Sequence, residues 1–189
     1  MSLSVTRRGN HNLGPRKMSA ISYFVALLLV WPPLAFAAHF THPTQGYSLD
    51  YPDSWHIDQA ALDAGAPLLL TNFPTAQRRH GGLLPLHGME INVRDFPSSA
   101  DENALLVSDP GVQNVTRSVA TINQREVVRA DYDVGPVRYR VTSVVIHVGE
   151  KLFCILLTYA HTPPDPEDTA VGEAALSQVI SSLSSESHR

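Results

Sequence analysis

Cys154 is the only cysteine in the chain, so no disulfide can form within it even in an oxidising compartment. The sequence also lacks Gly-x-Ser-x-Gly, His-Glu-x-x-His, a phosphate-cradling glycine-rich loop and any cysteine pair. No motif therefore announces a hydrolase, a zincin or a nucleotide site, although a site assembled from distant residues would leave no such signature. Acidic residues are missing from residues 1–37, which hold Arg7, Arg8, Arg16 and Lys17, four of the 14 basic residues of the chain. Residues 38–189 keep 10 basic residues against all 18 acidic ones, a formal charge of −8. A body so charged, with no basic stripe, is repelled by phosphate backbones and anionic lipid, and nucleic acid is not an expected partner.

A long hydrophobic run is missing too. Ile21 to Trp31 is eleven residues of mostly apolar character, short of the roughly 20 that a membrane-spanning helix needs, and Pro32 and Pro33 come next, where a helix would have to continue. Basic residues, then a short apolar run, then Ala35-Phe36-Ala37 is the order of a secretory signal, with cleavage expected after Ala37. Stable membrane insertion is not expected once the signal is cleaved, and the protein is read as exported, to the periplasm or outside the cell. The expected organisation is a signal at 1–37, a flexible leader at 38–45, one domain at 46–184 and a disordered tail at 185–189. A chain of 189 residues that is 43% hydrophobic carries enough apolar material for one such core.

The domain reads as strands with one strong helix. In "KLFCILLTYA" Leu152, Cys154 and Leu156 point one way and Phe153, Ile155 and Leu157 the other. Apolar on both faces means a central strand covered on both sides, with Cys154 as core filling. Turns at Asn123-Gln124, Gly135-Pro136 and Gly149-Glu150 make the last four strands antiparallel neighbours. A two-residue turn at Gly135-Pro136 sets Asp133 opposite Arg138, Asp131 opposite Arg140 and Tyr132 opposite Tyr139. Ser99, three residues before Glu102, predicts a capping box on a short helix. Asp165 as cap, Pro166 in the first turn, and Leu176, Val179, Ile180 and Leu183 at helical spacing predict a final helix over 165–183.

Two histidine settings stand out. His39 and His42 in "AHFTHP" adjoin the expected new N-terminus: a solvated leader, or a copper brace were cleavage to fall after Ala38. Between two strands, the fifteen-residue stretch Pro74 to Gly88 gathers Arg78, Arg79, His80 and His87, the one basic concentration after the signal. Loops that long are often functional or disordered. Arginine forks suit carboxylates and phosphates, so these four residues are the candidate binding residues, toward a protein partner or a small anionic ligand. His80 and His87 lack an evident third ligand for a metal, and no metal or cofactor is expected. An enzyme would instead set His80 or His87 within hydrogen-bond reach of a carboxylate in a cleft; a hydrolase or metal-dependent enzyme near the 74–88 loop is the alternative to a non-catalytic accessory or binding domain.

The stretch Gly46-Tyr47-Ser48-Leu49-Asp50-Tyr51-Pro52-Asp53-Ser54-Trp55 resembles the first strand of the PsbP family, the extrinsic subunits of photosystem II and their bacterial relatives. "VRYRVTSVVIHVGEKLFCILLTYA", a Pro-rich loop and a helix ending "ISSLSS" resemble that family's final hairpin and helix. The resemblance covers about 46–55 and 137–184, and the middle by order of elements. It implies an α+β fold, an antiparallel sheet with helices on both faces (an αβα sandwich of Mog/PsbP type), and a role in binding partner proteins. An export signal stands where the photosynthetic members have a plastid transit peptide. From the residues alone, Trp55 is read as a core anchor after a strand whose Leu49 and Tyr51 share a face.

Overall fold

The computed structural model describes residues 37–77, 83–109, 111–135 and 139–185. Residues 1–36, all but the last residue of the expected signal, lie outside the described residues. Seven strands form one antiparallel sheet in the order β3 (His56–Ile57), β4 (Leu68–Thr71), β5 (Met89–Pro97), β9 (Lys151–Tyr159), β8 (Tyr139–Val148), β7 (Arg125–Val134) and β6 (Val112–Ile122). A second, three-stranded sheet runs β1 (Ala37–Thr41), β2 (Tyr47–Pro52), β10 (Ser184–Ser185). The helices are α1 (Gln59–Asp63), α2 (Glu102–Leu106) and α3 (Pro166–Ser182).

The apolar run of β9 does what its alternation predicts. Phe153, Ile155 and Leu157 join Tyr47, Leu49, Trp55 and, from α3, Leu176, Val179 and Ile180 in one buried cluster. Leu152, Cys154 and Leu156 join Tyr132, Val141, Val145 and Leu106 of α2 in another. Gly172 lets α3 settle close to β9, because a Cβ there would stand 2.7 Å from the Tyr159 hydroxyl. The turn Asn123-Gln124 has positive φ at both residues, 46° and 69°, the type I′ geometry whose twist suits a two-residue hairpin. Gly149 (φ 61°) opens the other tight hairpin, between Val148 and Lys151.

Four expectations are corrected. Residues 38–45 are not a flexible leader throughout: Ala37 to Thr41 pair with Pro52 to Ser48 as an edge strand, and Phe40 is buried. Ser185, assigned to the tail, pairs with Tyr47, and the rest of that tail, residues 186–189, lies outside the described residues. The cap of α2 is Asp101, whose carboxylate accepts from the Asn103 and Ala104 amides at 2.9 and 3.4 Å. Ser99 is not the cap, and Glu102 instead contacts His147 at 2.8 Å. Lastly, Val134 pairs with Tyr139, so Asp133 lies opposite Arg140, Tyr132 opposite Val141 and Asp131 opposite Thr142. The register is displaced by two residues, which keeps every side chain on its expected face.

Candidate ligand-binding site

The two-residue displacement builds a site. On one face of β7, Arg129, Asp131 and Asp133 recur at intervals of two, and the partner strand β8 brings Thr142 and Arg140 beside Asp131 and Asp133. Tyr159 at the end of β9 pairs with Arg140. The chain then turns through Thr162, Pro163 and Pro164 into α3, whose Thr169 and Glu173 stand one turn apart. All of these but Asp133 line a cavity of about 440 Å³, within the range of roughly 300–1,000 Å³ typical of small-molecule sites.

Its floor is an ionic network. Arg129 is bidentate to both carboxylates, with Nε and Nη2 donating to Asp131 at 2.9 Å each and Nη1 and Nη2 to Glu173 at 2.9 and 2.7 Å. The Thr142 hydroxyl donates to Asp131 at 2.6 Å. The hydrogen bond to Glu173 holds the Arg129 proton more firmly than usual, against the opposing effect of burial. Burial alone would raise the Asp131 carboxyl; the bonds from Arg129 and Thr142 outweigh it and hold the group below its ordinary range. Asp133 is lowered in the same way, its burial outweighed by bonds from Asn114, Thr162 and Arg140. Arg140 is less committed, donating from Nη1 to Asp133 at 3.2 Å. Tyr159 is 2% exposed and its hydroxyl has no partner among the described residues; burial pushes its pKa up, so it stays protonated. The cavity offers free guanidinium donors, hydroxyls and carboxylate lone pairs around an apolar wall of prolines and tyrosine.

Arg78, Arg79 and His80 lie outside the described residues. His87, at the described end of the same stretch, is drawn against α3: its Nδ1 stands 2.9 Å from Asp168 Oδ2 and 3.6 Å from Asp165 Oδ2. The bond to Asp168 raises the imidazole pKa. His161 meets the His87 ring edge-on at 6.0 Å, and its Nε2 is 3.9 Å from Asp165. Asp165 thus faces two histidines and makes no side-chain cap bond, although it occupies the N-cap position. His87, Asp165 and Asp168 offer ligand atoms within 4.8 Å of one another and could hold a metal ion. His87 is 55% exposed and does not line the cavity, but Asp168 is the residue before cavity-lining Thr169. His39, singled out with His42 beside the expected new N-terminus, pairs with Asp50 at 2.7 Å across β1 and β2.

Sequence reasoning read Asp131, Asp133 and Arg140 as cross-strand pairs and missed Arg129, Glu173 and Tyr159. The available signal was charge recurring on one face of a strand whose other face is apolar, next to a proline-rich turn.

No family model matches the chain, and no curated protein matches it in sequence. Solved structures do. The Ran-binding protein Mog1p of Saccharomyces cerevisiae is 8% identical, with a TM-score of 0.52 over 79% of this chain and 95% of Mog1p. Cyanobacterial PsbP (CyanoP) of Synechocystis sp. PCC 6803 is 14% identical, with a TM-score of 0.46 over 81% of this chain and 94% of CyanoP. A Bacteroides thetaiotaomicron protein, 14% identical, gives 0.48 over 79% of this chain. There the match covers 48% of the other protein, so the chain spans about half its length. At 8% identity the likeness to Mog1p speaks for the fold alone: a mostly antiparallel α+β domain with the Mog/PsbP-like fold.

Proposed function

We propose that this chain is an exported, non-catalytic accessory or binding domain that contacts a partner protein or a small ligand in the periplasm or outside the cell. The observation that carries this reading is the cavity over Arg129, Asp131 and Glu173. It is a formed, polar-floored recess with uncommitted donors on Arg140. Such recesses orient ligands through a few placed polar groups. His87, from the described end of the 74–88 stretch, is tied to Asp168, the residue before cavity-lining Thr169. Arg78, Arg79, His80 and His87 are read, on their charge, as the contact for an acidic partner or anion. We further read α2 and α3 as covers on opposite faces of the large sheet. Cleavage after Ala37 would remove one residue of β1 and leave Ala38 to Thr41 paired with β2. Among the described residues no helix is long and apolar enough to cross a membrane.

The test is retention of native partners by the wild type, an Arg78→Ala/Arg79→Ala variant and an Arg140→Ala variant at 0.1 and 1 M salt. Electrostatic contacts weaken across that range because the Debye length falls from about 10 to about 3 Å. Loss of recovery in the variants and in high salt supports the reading; identical recovery in every condition removes it. A second reading, a hydrolase or metal-dependent enzyme, is favoured by one geometry, the 2.9 Å contact of His87 with Asp168. Turnover in a broad hydrolase screen that disappears in His87→Ala would select it.

A further inference from the structure

Arg140 and the hydroxyls near it restrict what the recess over Arg129 can take. Residues paired across adjacent strands share a face of the sheet. Arg140 pairs with Asp133 on one side and Tyr159 on the other, and Thr142, two residues on, pairs with Asp131 and Leu157. Leu157 is buried in one cluster with Leu176 of α3, so Arg140 rises on the face that lines the recess together with α3, and its side chain is 29% exposed. The N–H groups of Arg129 are nearly all spent: Nε, both hydrogens of Nη2 and one of Nη1 go to Asp131 and Glu173. Among the described residues Arg140 spends one, from Nη1 to Asp133, and Asp133 also accepts from Asn114 and Thr162. Arg140 is therefore the donor left for a ligand, with a planar fork that fits a carboxylate.

The hydroxyls offer the opposite chemistry. Thr142 donates to Asp131 at 2.6 Å, Thr162 to Asp133 at 2.8 Å and Thr169 to the Asp165 carbonyl at 3.0 Å. Each hydroxyl has a single proton, so toward a ligand these lining residues can only accept. Glu173 adds carboxylate lone pairs. The charged groups lining the recess are Arg129, Arg140, Asp131 and Glu173, and Asp133, paired with Arg140, tips their balance negative. A ligand that is only an anion meets three carboxylates, and one that is only a cation leaves the Arg140 fork unfilled. A molecule that carries both charges meets both. The span it must bridge is short: Arg140 Nη1 at 3.2 Å and Thr162 Oγ1 at 2.8 Å contact the same oxygen of Asp133. Donor and acceptor thus stand no further apart than those two bonds laid end to end, within reach of a molecule that bears its carboxylate and ammonium on one carbon.

We propose that the recess takes a free α-amino acid, its carboxylate held by the Arg140 fork, its ammonium donating to Thr162 Oγ1 and a second of these acceptors, and its side chain, not acidic, lying along Pro163 and Pro164. This rests on the recess being the ligand site proposed above, and it names the ligand's chemistry.

The experiment is ¹H–¹⁵N correlation NMR of the full chain, which follows the Thr169 amide and the Arg140 Nε–H against the Val119 amide on β6. L-Leucine should shift the two recess signals to saturation and leave Val119 unmoved. N-Acetylleucine keeps the carboxylate alone, leucinamide keeps the ammonium alone, and N,N,N-trimethylleucine keeps both charges without an N–H; each should bind at least tenfold more weakly. Arg140→Gln should abolish the response to leucine, and Thr162→Val, which keeps the shape, should weaken it at least threefold. The probe series is read in the wild type, so it decides the matter even if a variant loses its fold. Leucine matched by acetylleucine or leucinamide would make the recess a site for a single charge, which overturns the amino acid and leaves a ligand site. Leucine matched by its trimethyl form, or an equal shift at Val119, would overturn it as well. So would silence with every probe; retention of native partners by the wild type and not by Arg140→Ala would then still mark the recess as a binding site, and its absence would remove that reading too.

Discussion

Replacing Arg129 by methionine keeps most of the side-chain volume and removes the charge that holds two carboxylates together. In the folded chain Arg129, Asp131 and Glu173 retain 22%, 18% and 33% side-chain exposure. Removing one partner from a fully buried ion pair costs about 3–5 kcal/mol, because the charge left behind is uncompensated. With this much residual solvent the loss is set at about 2–3 kcal/mol. A domain of this size changes its melting temperature by about 2–4 °C per kcal/mol, so thermal unfolding should fall by about 4–12 °C near pH 7. The pH dependence gives an independent check. In the wild type the folded Asp131 carboxyl is depressed, so its contribution is present above the unfolded value of about 3.9 and lost as pH falls through the folded one. In Arg129→Met the Asp131 carboxyl faces Glu173 without the guanidinium between them, it is no longer held low, and its protonation relieves the repulsion as pH falls. The gap between the two proteins should therefore be widest near neutrality and narrow below about pH 4. Calorimetry from pH 7 down to pH 3 reads both effects. A variant melting within a degree or two of the wild type, with a gap independent of pH, would refute the ionic network.

The packing sets three further outcomes. Gly172→Ala should destabilise the domain by up to about 2 kcal/mol, overpacking of about 1–3 kcal/mol outweighing a helix-propensity gain of about 1 kcal/mol; Tyr159→Phe in the same chain should recover part of the loss, and denaturant titration of the four proteins checks it. Leu176→Asp should cost several kcal/mol, since it places an unpaired charge at a fully buried position; an unchanged melting curve would mean α3 is not docked. The Cys154 thiol, pushed up by burial, should resist a thiol reagent in the native protein and react fully once unfolded.

The parts of the fold legible in the sequence are those whose signal is local. Apolar residues on both sides of β9, the Gly149 hairpin and the helical spacing of Leu176, Val179 and Ile180 each state their own structure. The register of β7 on β8 is different, because a slip of two residues leaves every side chain on the same face and alternation cannot detect it. That slip decides whether Asp131 meets Arg140 or Thr142, and with it the composition of the cavity. Glu173 joins from a helix more than forty residues downstream of Arg129, which no strand pattern anticipates. Strand β1 was obscured because "AAHFT" reads equally as the aftermath of a cleavage site, and only its pairing with β2 buries Phe40. At α2, Ser99 and Asp101 are both good caps, and the choice depends on which side chain reaches the free amides of the first turn.

Whether the recess between β7, β8 and α3 receives a ligand or partner is decided by site-specific photo-cross-linking in the native host. A p-benzoylphenylalanine placed at Thr169, on the cavity wall, is compared with one at Val119, exposed on β6 and outside that lining. Occupancy of the recess predicts a discrete, saturable adduct from position 169 that disappears when Arg140→Ala is added, with none from position 119. No adduct at position 169, or the same adducts from both positions, would contradict it.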